Sequence, residues 1–299
     1  MDLRHLELLR ELADRGTVTA VAEAMFRSPS AVSQQLQTAE RAFGVALVEP
    51  DGRRLRLTPA GRLLAAGAVD VATTLARLQH QLDALQREPS GAVSIAALPS
   101  AAEFLVPAVL RRFAGTAITL TLSDEDVPEA DFGRRTADHD LVIGHTLAAT
   151  PAGAERLRVH ALAHEPLDVA VPAGHRLAGR AHVRASDLVG ERWIGVPVGY
   201  PFDTVRIAIE NRGGQPLRVV QRVRDNRVVE ALVAGGEGCA LLPRFTTRGR
   251  PGLVTLPLAD VRSVRTIVAL GRPDRLERAA VRLVLDALVE VGAALGPGS

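Results

Sequence analysis

TVTAVAEAMFRSPSAVSQQLQTAERAF, residues 17–43, reads as two short helices joined by a tight turn. Gly16 can end a preceding helix and Thr17 or Thr19 can cap the next, whose inward face is Val18, Val21, Ala22 and Met25. The stop at Phe26-Arg27 is abrupt. Ser28 is a good N-cap and Pro29 fits a first helical position, where its missing N–H costs nothing. In the second helix, Val32, Leu36, Ala39 and Phe43 recur at helical spacing, while Ser28, Pro29, Ser30, Ser33, Gln34 and Gln37 mark its start and its polar side. Hydroxyls and amides on such a helix reach phosphates and base edges, so the segment has the form of a helix-turn-helix. An ordinary amphipathic pair with a solvated Ser/Gln face fits this segment equally well.

The next eighteen residues separate the two. In GVALVEPDGRRLRLTPAG, residues 44–61, two short apolar runs flank Pro50-Asp51-Gly52, a turn former, and the return run carries Arg53, Arg54 and Arg56. A basic hairpin beside a helix-turn-helix reads as a wing whose guanidiniums meet phosphate or a narrow minor groove. Thr58 and Pro59 then open a long helix. Gly61, Leu64, Ala68, Val71, Leu75, Leu78, Leu82 and Leu85 recur at alternating spacings of three and four, and between Thr73 and Arg87 the other positions are polar apart from Ala76 and Ala84. A stripe this narrow calls for one partner helix, so Leu64, Val71, Leu75, Leu78, Leu82 and Leu85 are the expected dimerising residues. Glu88-Pro89-Ser90-Gly91 breaks the helix.

Taken in this order, MDLRHLELLRELADRGTVTAVAEAM, SPSAVSQQL, GVALVEPDGRRLRLTPAG and the later DNRVVEALVAGGEGCALLPR resemble the LysR-type transcriptional regulators over essentially the whole chain. The resemblance implies Ser33, Gln34 and Arg53 as DNA contacts, a fold like the periplasmic binding proteins downstream, a ligand in its cleft, and a dimer that can assemble to a tetramer. Two positions depart from the pattern. Pro29 stands where many members have Gln, and Pro50 where many have Arg, which bears on one base contact and one phosphate contact.

Past the Pro-Ser-Gly break, short apolar runs alternate with helical patterns: AVSIAAL, LVPAVLRRF, AITLTL and DLVIG, then PLDVAVP through CALLP, and a return with RTIVALG and a closing helix near 274–295. The fold class is therefore α/β behind an all-α winged helix-turn-helix domain. The expected boundaries are 1–58 for that domain, 59–89 for the linker helix and 90–299 for the effector-binding domain, with lobe I at about 90–162 and 268–299 and lobe II at about 163–267.

Three turns that close a strand and open a helix are the expected cleft lining, because free N–H groups gather there. The first is Leu98-Pro99-Ser100-Ala101, where Ser100 with Glu103 also fits a capping box. The second is Gly199-Tyr200-Pro201-Phe202-Asp203, holding the single tyrosine of the chain, and the third is Asp225-Asn226-Arg227, where capping is the simpler role. The expected ligand contacts are Ser100, Ala101, Gly199, Tyr200, Phe202, Asp225 and Asn226.

Other patterns carry less. Gly235-Gly236-Glu237-Gly238 lies after a helix and before a strand, the reverse of a phosphate loop. His160 and His164 lack a third ligand, Cys239 reads as buried packing, Asp124 and Asp126 lie in a polar loop, and no G-x-S-x-G elbow occurs. No cofactor, metal or catalysis is expected. With 299 residues there is room for a ligand-binding core, and the net charge of only +2 comes with 36 basic residues that are all arginine. One cysteine rules out an internal disulfide framework, and the absence of a signal-peptide pattern or a membrane-length apolar run places the chain in the cytoplasm. The reading is a one-component regulator that binds double-stranded DNA at a pseudo-palindromic operator, itself, and a small polar or anionic effector, with no membrane. The alternatives are a solute-binding protein or enzyme built on the α/β module, or a DNA-binding protein without a ligand.

Overall fold

The computed structural model describes residues 2–51, 54–86, 88–125, 128–247 and 249–295. Helix α1 (Leu3–Arg15) starts at Asp2, whose side chain accepts from the Arg4 N–H, and stops at Gly16 in the left-handed region. Thr17, not Thr19, caps α2 (Val18–Ala24), and Ser28 caps α3 (Pro29–Phe43) with Pro29 in its first turn. These helices close over Leu8, Leu9, Leu12, Val21, Ala22, Val32, Leu36 and Ala39.

The wing is a hairpin of β1 (Val48–Asp51) and β2 (Arg54–Leu57), with Asp51 opposite Arg54. Pro50 and Asp51, expected in the turn, are thus strand positions, while Gly52 lies outside the described residues. A two-stranded ribbon has only edges, where proline is tolerated. Its root is held by Glu40, whose carboxylate accepts from the Leu47 and Val48 N–H groups.

Helix α4 (Pro59–Gln86) begins at Thr58, whose hydroxyl accepts from the Gly61 N–H. Gly61 lies so close to the Leu47 carbonyl that a Cβ there would meet it at 2.2 Å. The row of apolar positions therefore divides. Gly61, Leu64 and Ala65 pack into or against the winged domain, Leu64 only partly buried there, whereas Leu75, Leu78, Leu82 and Leu85 are exposed.

The C-terminal region is built from β3 (Gly91–Ala97), α5 (Pro99–Phe113), β4 (Ile118–Asp124), α6 (Phe132–Arg135), β5 (Leu141–Thr146), β6 (Arg158–Pro172), β7 (Arg192–Gly195), α7 (Pro201–Gly213), β8 (Arg218–Arg222), α8 (Asn226–Ala234), β9 (Ala240–Pro243), α9 (Arg244–Thr247), β10 (Leu253–Leu256), β11 (Val264–Gly271), α10 (Pro273–Leu276) and α11 (Ala279–Ala293). One sheet runs β10-β6-β11-β5-β3-β4, with β9 also on β6. The 15-residue β6 spans two halves: residues 158–166 pair with β11, and 167–172 with β9 and β10. Two cores divide along it. Leu162 and Ala163 join Ile95, Leu105, Ile143, Ile267 and Val284 in one, and Leu167 and Val169 join Trp193, Val205, Ile209 and Leu241 in the other. The chain enters and leaves the second lobe through β6 and β11, so both strands meet at the junction of the lobes. No helix among the described residues is long and apolar enough to cross a membrane.

Candidate ligand cleft and DNA-reading face

A cavity of about 560 Å³ lies between the lobes, and the first turns of three helices border it. Pro99 and Ser100 open α5, Tyr200, Pro201 and Phe202 open α7, and Asp225, Asn226 and Arg227 open α8. Each helix points its unpaired N–H groups and the positive end of its dipole toward this region.

The cavity wall is built on a buried ion pair. Arg265 on β11 is 1% exposed and donates through Nε to Glu165 Oε2 on β6 at 2.8 Å and through Nη2 at 2.5 Å. The other Glu165 oxygen accepts from the Phe245 N–H at 2.7 Å. Arg265 Nη2 also donates to Ser100 Oγ at 2.9 Å, and its guanidinium carbon lies 5.6 Å from the centre of the Phe202 ring. His145, at the end of β5, meets that ring edge-on at 5.6 Å. Burial, reinforced by the Arg265 charge, pushes the His145 pKa well below its ordinary value, so the imidazole is neutral. Its Nδ1 is buried without a hydrogen-bond partner among the described residues.

At the rim the lobes touch through charge. Arg227 Nη2 meets Glu103 Oε2 at 2.6 Å, and Arg250 reaches both Glu103 at 3.5 Å and Glu230 at 3.3 Å. Burial raises the Glu230 carboxyl above its ordinary value, although Thr247 donates to it. Below Phe202, burial works against the ionised Asp203, yet the Arg206 and Arg222 guanidiniums at 2.6 and 3.1 Å outweigh it and hold the carboxyl low.

Of the residues expected at the cleft, Ser100, Tyr200, Phe202, Asp225 and Asn226 line the cavity. Ala101 does not; it is fully buried in the first core, on the inward face of α5. Gly199 does not either. Its φ of +90° shapes the turn that presents Tyr200. The Ser100 capping box is not formed: Leu98 is the N-cap of α5 and makes no side-chain cap, while Glu103 turns outward to Arg227. Asp225 does cap α8, accepting from the Arg227 N–H at 2.8 Å. Arg265, Glu165, His145, Arg224 and Thr246 escape sequence reasoning. The available signal was a lone charge, Arg265, inside the apolar run of β11, with Glu165 a hundred residues earlier in a strand that also carries Asp168.

On the winged domain, Ser30, Gln34 and Gln37 are exposed and Ser33 is half-buried. Ser28 caps the helix and exchanges a hydrogen bond with Ser30 at 2.9 Å, and Pro29 is exposed beside them. Gln34 shares a shallow depression with Arg4, Arg27 and Thr38. Phe26, in the turn before α3, is 97% exposed with φ +54°. Arg53 lies outside the described residues, as do Gly52, Arg87 and Asp126. Arg54 opens β2, and its side chain is likewise not described. Arg56 is paired with Glu49 at 2.7 Å.

Two other features bear on chemistry. Cys239 is buried in the second core, and its burial pushes the thiol up to about 12. His175, Glu191 and Cys239 come close enough to hold an ion, yet the Leu177 N–H donates to His175 Nδ1, which leaves Nε2 as the N–H that meets Glu191 at 3.2 Å, and Arg176 already occupies Glu191 at 2.6 Å. That nitrogen offers a proton, not a lone pair.

Residues 3–62 match the bacterial regulatory helix-turn-helix protein model of the lysR family, and residues 86–293 match the LysR substrate binding domain. The chain belongs to the LysR family of transcriptional regulators. This LysR-type regulator is 26% identical to the transcriptional dual regulator GltC of Bacillus subtilis, over 82% of each chain. Its fold is shared with a full-length variant of OxyR from Pseudomonas aeruginosa, at 19% identity, a TM-score of 0.65 and coverage of 97% and 98% of the two chains. It is shared also with full-length CbnR in complex with its target DNA, at 18% identity and TM-score 0.56 over 98% and 100%. The regulatory domain of Synechocystis CcmR, in complex with 2-PG, aligns at 19% identity and TM-score 0.57 over 69% and 100%.

Proposed function

We propose that this LysR-type regulator is a cytoplasmic, non-enzymatic switch. A small polar or anionic metabolite bound between its lobes changes how two winged domains, paired through α4, sit on a pseudo-palindromic operator. The observation that carries the effector reading is the cavity itself: three helix N-termini converge on it, and Arg265, held from behind by Glu165 at the junction of the lobes, forms part of its wall. Helix N-termini favour an anionic group, the lining carboxylates Asp124 and Glu230 favour hydroxyls or amines, and Phe202 offers an apolar face. The DNA reading rests on the exposed Ser30, Gln34 and Gln37 of α3, with Ser33 beside them. The exposed Leu75, Leu78, Leu82 and Leu85 are what a second α4 would cover.

Direct thiol sensing of peroxide is disfavoured. The single cysteine is buried, and a thiol raised to about 12 supplies almost no thiolate. The test is a mobility-shift assay on the DNA upstream of its own gene, repeated with metabolites of the neighbouring pathway. Gln34→Ala should lower the preference for operator over random DNA, and Ser100→Ala and Tyr200→Ala should each weaken the metabolite response while leaving ligand-free binding near native. Equal binding of operator and random DNA by the native protein would refute the DNA reading. Unaltered responses in both cleft variants would refute the cleft assignment.

A further inference from the structure

The winged domain is joined to the first lobe by more than α4. Four residues of α1 reach that lobe within the same chain. Arg10 Nη1 donates to Asp274 Oδ2 at 3.0 Å, Arg272 donates to Glu11 at 3.1 Å and to Asp14 at 2.5 Å, and Arg15 Nη2 donates to Asp138 at 2.8 Å. Each of these charges on α1 faces its opposite on the lobe, so the seat is matched in charge. Its centre is withdrawn from water: the side chains of Arg10, Glu11, Arg272 and Asp274 are 12%, 12%, 6% and 13% exposed, while Asp14 and Asp138 at its edge are 32% and 48% exposed. Pairs in that position differ from surface salt bridges, because breaking one strands a charge away from solvent.

The lobe side of the seat stands on the central sheet. Arg272 directly follows β11, and Asp138 lies three positions before the start of β5. Between them Asp140 holds Arg278 at 2.7 Å and Arg275 at 3.2 Å and accepts from the Ser94 N–H, which ties α10 and the start of α11 to the strands. β5 and β11 are paired antiparallel from Thr146 opposite Thr266 to Val142 opposite Leu270. Their other ends carry His145 and Arg265 in the cleft wall. Seven residues of strand, about 23 Å, separate Arg265 from Arg272.

The seat is also built for release. Arg10 Nε and Asp274 Oδ1 are buried in it without a hydrogen-bond partner among the described residues. Unpaired buried groups weaken the docked state without preventing it. Docking leaves Ser30, Gln34 and Gln37 exposed, so the seat orients the reading helix and does not hide it.

We propose that Asp138, Arg272 and Asp274 form a docking surface for the chain's own DNA-binding domain, and that this surface fixes the angle and separation at which paired winged domains meet two half-sites. This rests on the proposed binding of a two-half-site operator. The probe is a duplex selected from a random library by the native protein, together with versions carrying two base pairs more or fewer between half-sites and a version with one half-site. Arg272→Glu places a third carboxylate against Glu11 and Asp14 and should free the domain. It should bind the selected duplex about tenfold more weakly than native, keep native affinity for the single half-site, and lose most of the native preference for the selected spacing. Glu11→Arg combined with Arg272→Glu should recover both properties. Native affinity and native spacing preference in Arg272→Glu would overturn the proposal. If that variant loses single half-site binding as well, Asp274→Asn decides: relaxed spacing preference there supports the seat, and native preference overturns it. A native protein that selects no duplex would refute the operator reading and this proposal with it, an outcome distinct from selection with indifferent spacing.

Discussion

Arg265 shows how much a single side chain organises here, since it touches Glu165, Ser100 and the Phe202 ring at once. Both partners of the pair are out of water, so Arg265→Met leaves an uncompensated carboxylate and should cost about 3–5 kcal/mol in urea unfolding, whereas Arg265→Met with Glu165→Gln should cost clearly less. Equal losses in the single and double variants would contradict that account. His145 makes a prediction in pH. Its folded-state pKa lies below the unfolded value of about 6.5, so the unfolded chain binds the extra proton first and stability falls as pH drops below about 6.5, by up to about 1.4 kcal/mol per unit until the folded imidazole also protonates. Melting curves of the native protein and His145→Gln should therefore converge on acidification, and parallel curves would exclude His145 as the source. At this scale the sequence showed Ser100, Tyr200 and Phe202 because turn residues announce themselves locally. Arg265, Glu165 and His145 sit inside apolar strands, and what brings them together is pairing between segments far apart in the chain.

At the scale of elements, capping chemistry and periodicity were legible in detail. Thr17, Ser28, Thr58 and Asp225 cap the helices they were expected to open, because an N-cap is decided by a few neighbouring residues. The extent of β1 and the packing of the start of α4 against the winged domain were not legible, for a shared reason. Where β1 ends is set by its register with β2, and how the start of α4 seats is set by the close approach of Gly61 to Leu47, and neither is a local property. The exposed remainder of the row makes its own prediction. Leu78→Glu would place like charges face to face in a paired α4 and should shift the protein toward monomer in sedimentation velocity, with operator affinity falling alongside. A fully dimeric, DNA-competent Leu78→Glu variant would remove α4 from the assembly interface.

For the molecule as a whole, the rhythm of strands and helices revealed an α/β region that leaves one lobe, builds a second and returns. The contacts that hold the parts in relation were invisible in it, because Arg272 and Glu11 are 261 positions apart and Arg227 and Glu103 are 124 apart. The rim contact of Glu103 with Arg227 and Arg250 spans the two lobes beside the cavity, and its consequence is one of time more than of affinity. A solute entering the cavity has to wait for the rim to part, and the same pairs delay its departure. Glu103→Gln should therefore speed binding and release together, several-fold each, with a dissociation constant near native, and added salt should do the same to the native protein by screening half-exposed charges. Stopped-flow traces in which Glu103→Gln changes only the release rate would show that the rim grips the ligand directly. With both rates raised, the regulator's response to a passing pulse of metabolite is set by the lifetime of three charged side chains at its door.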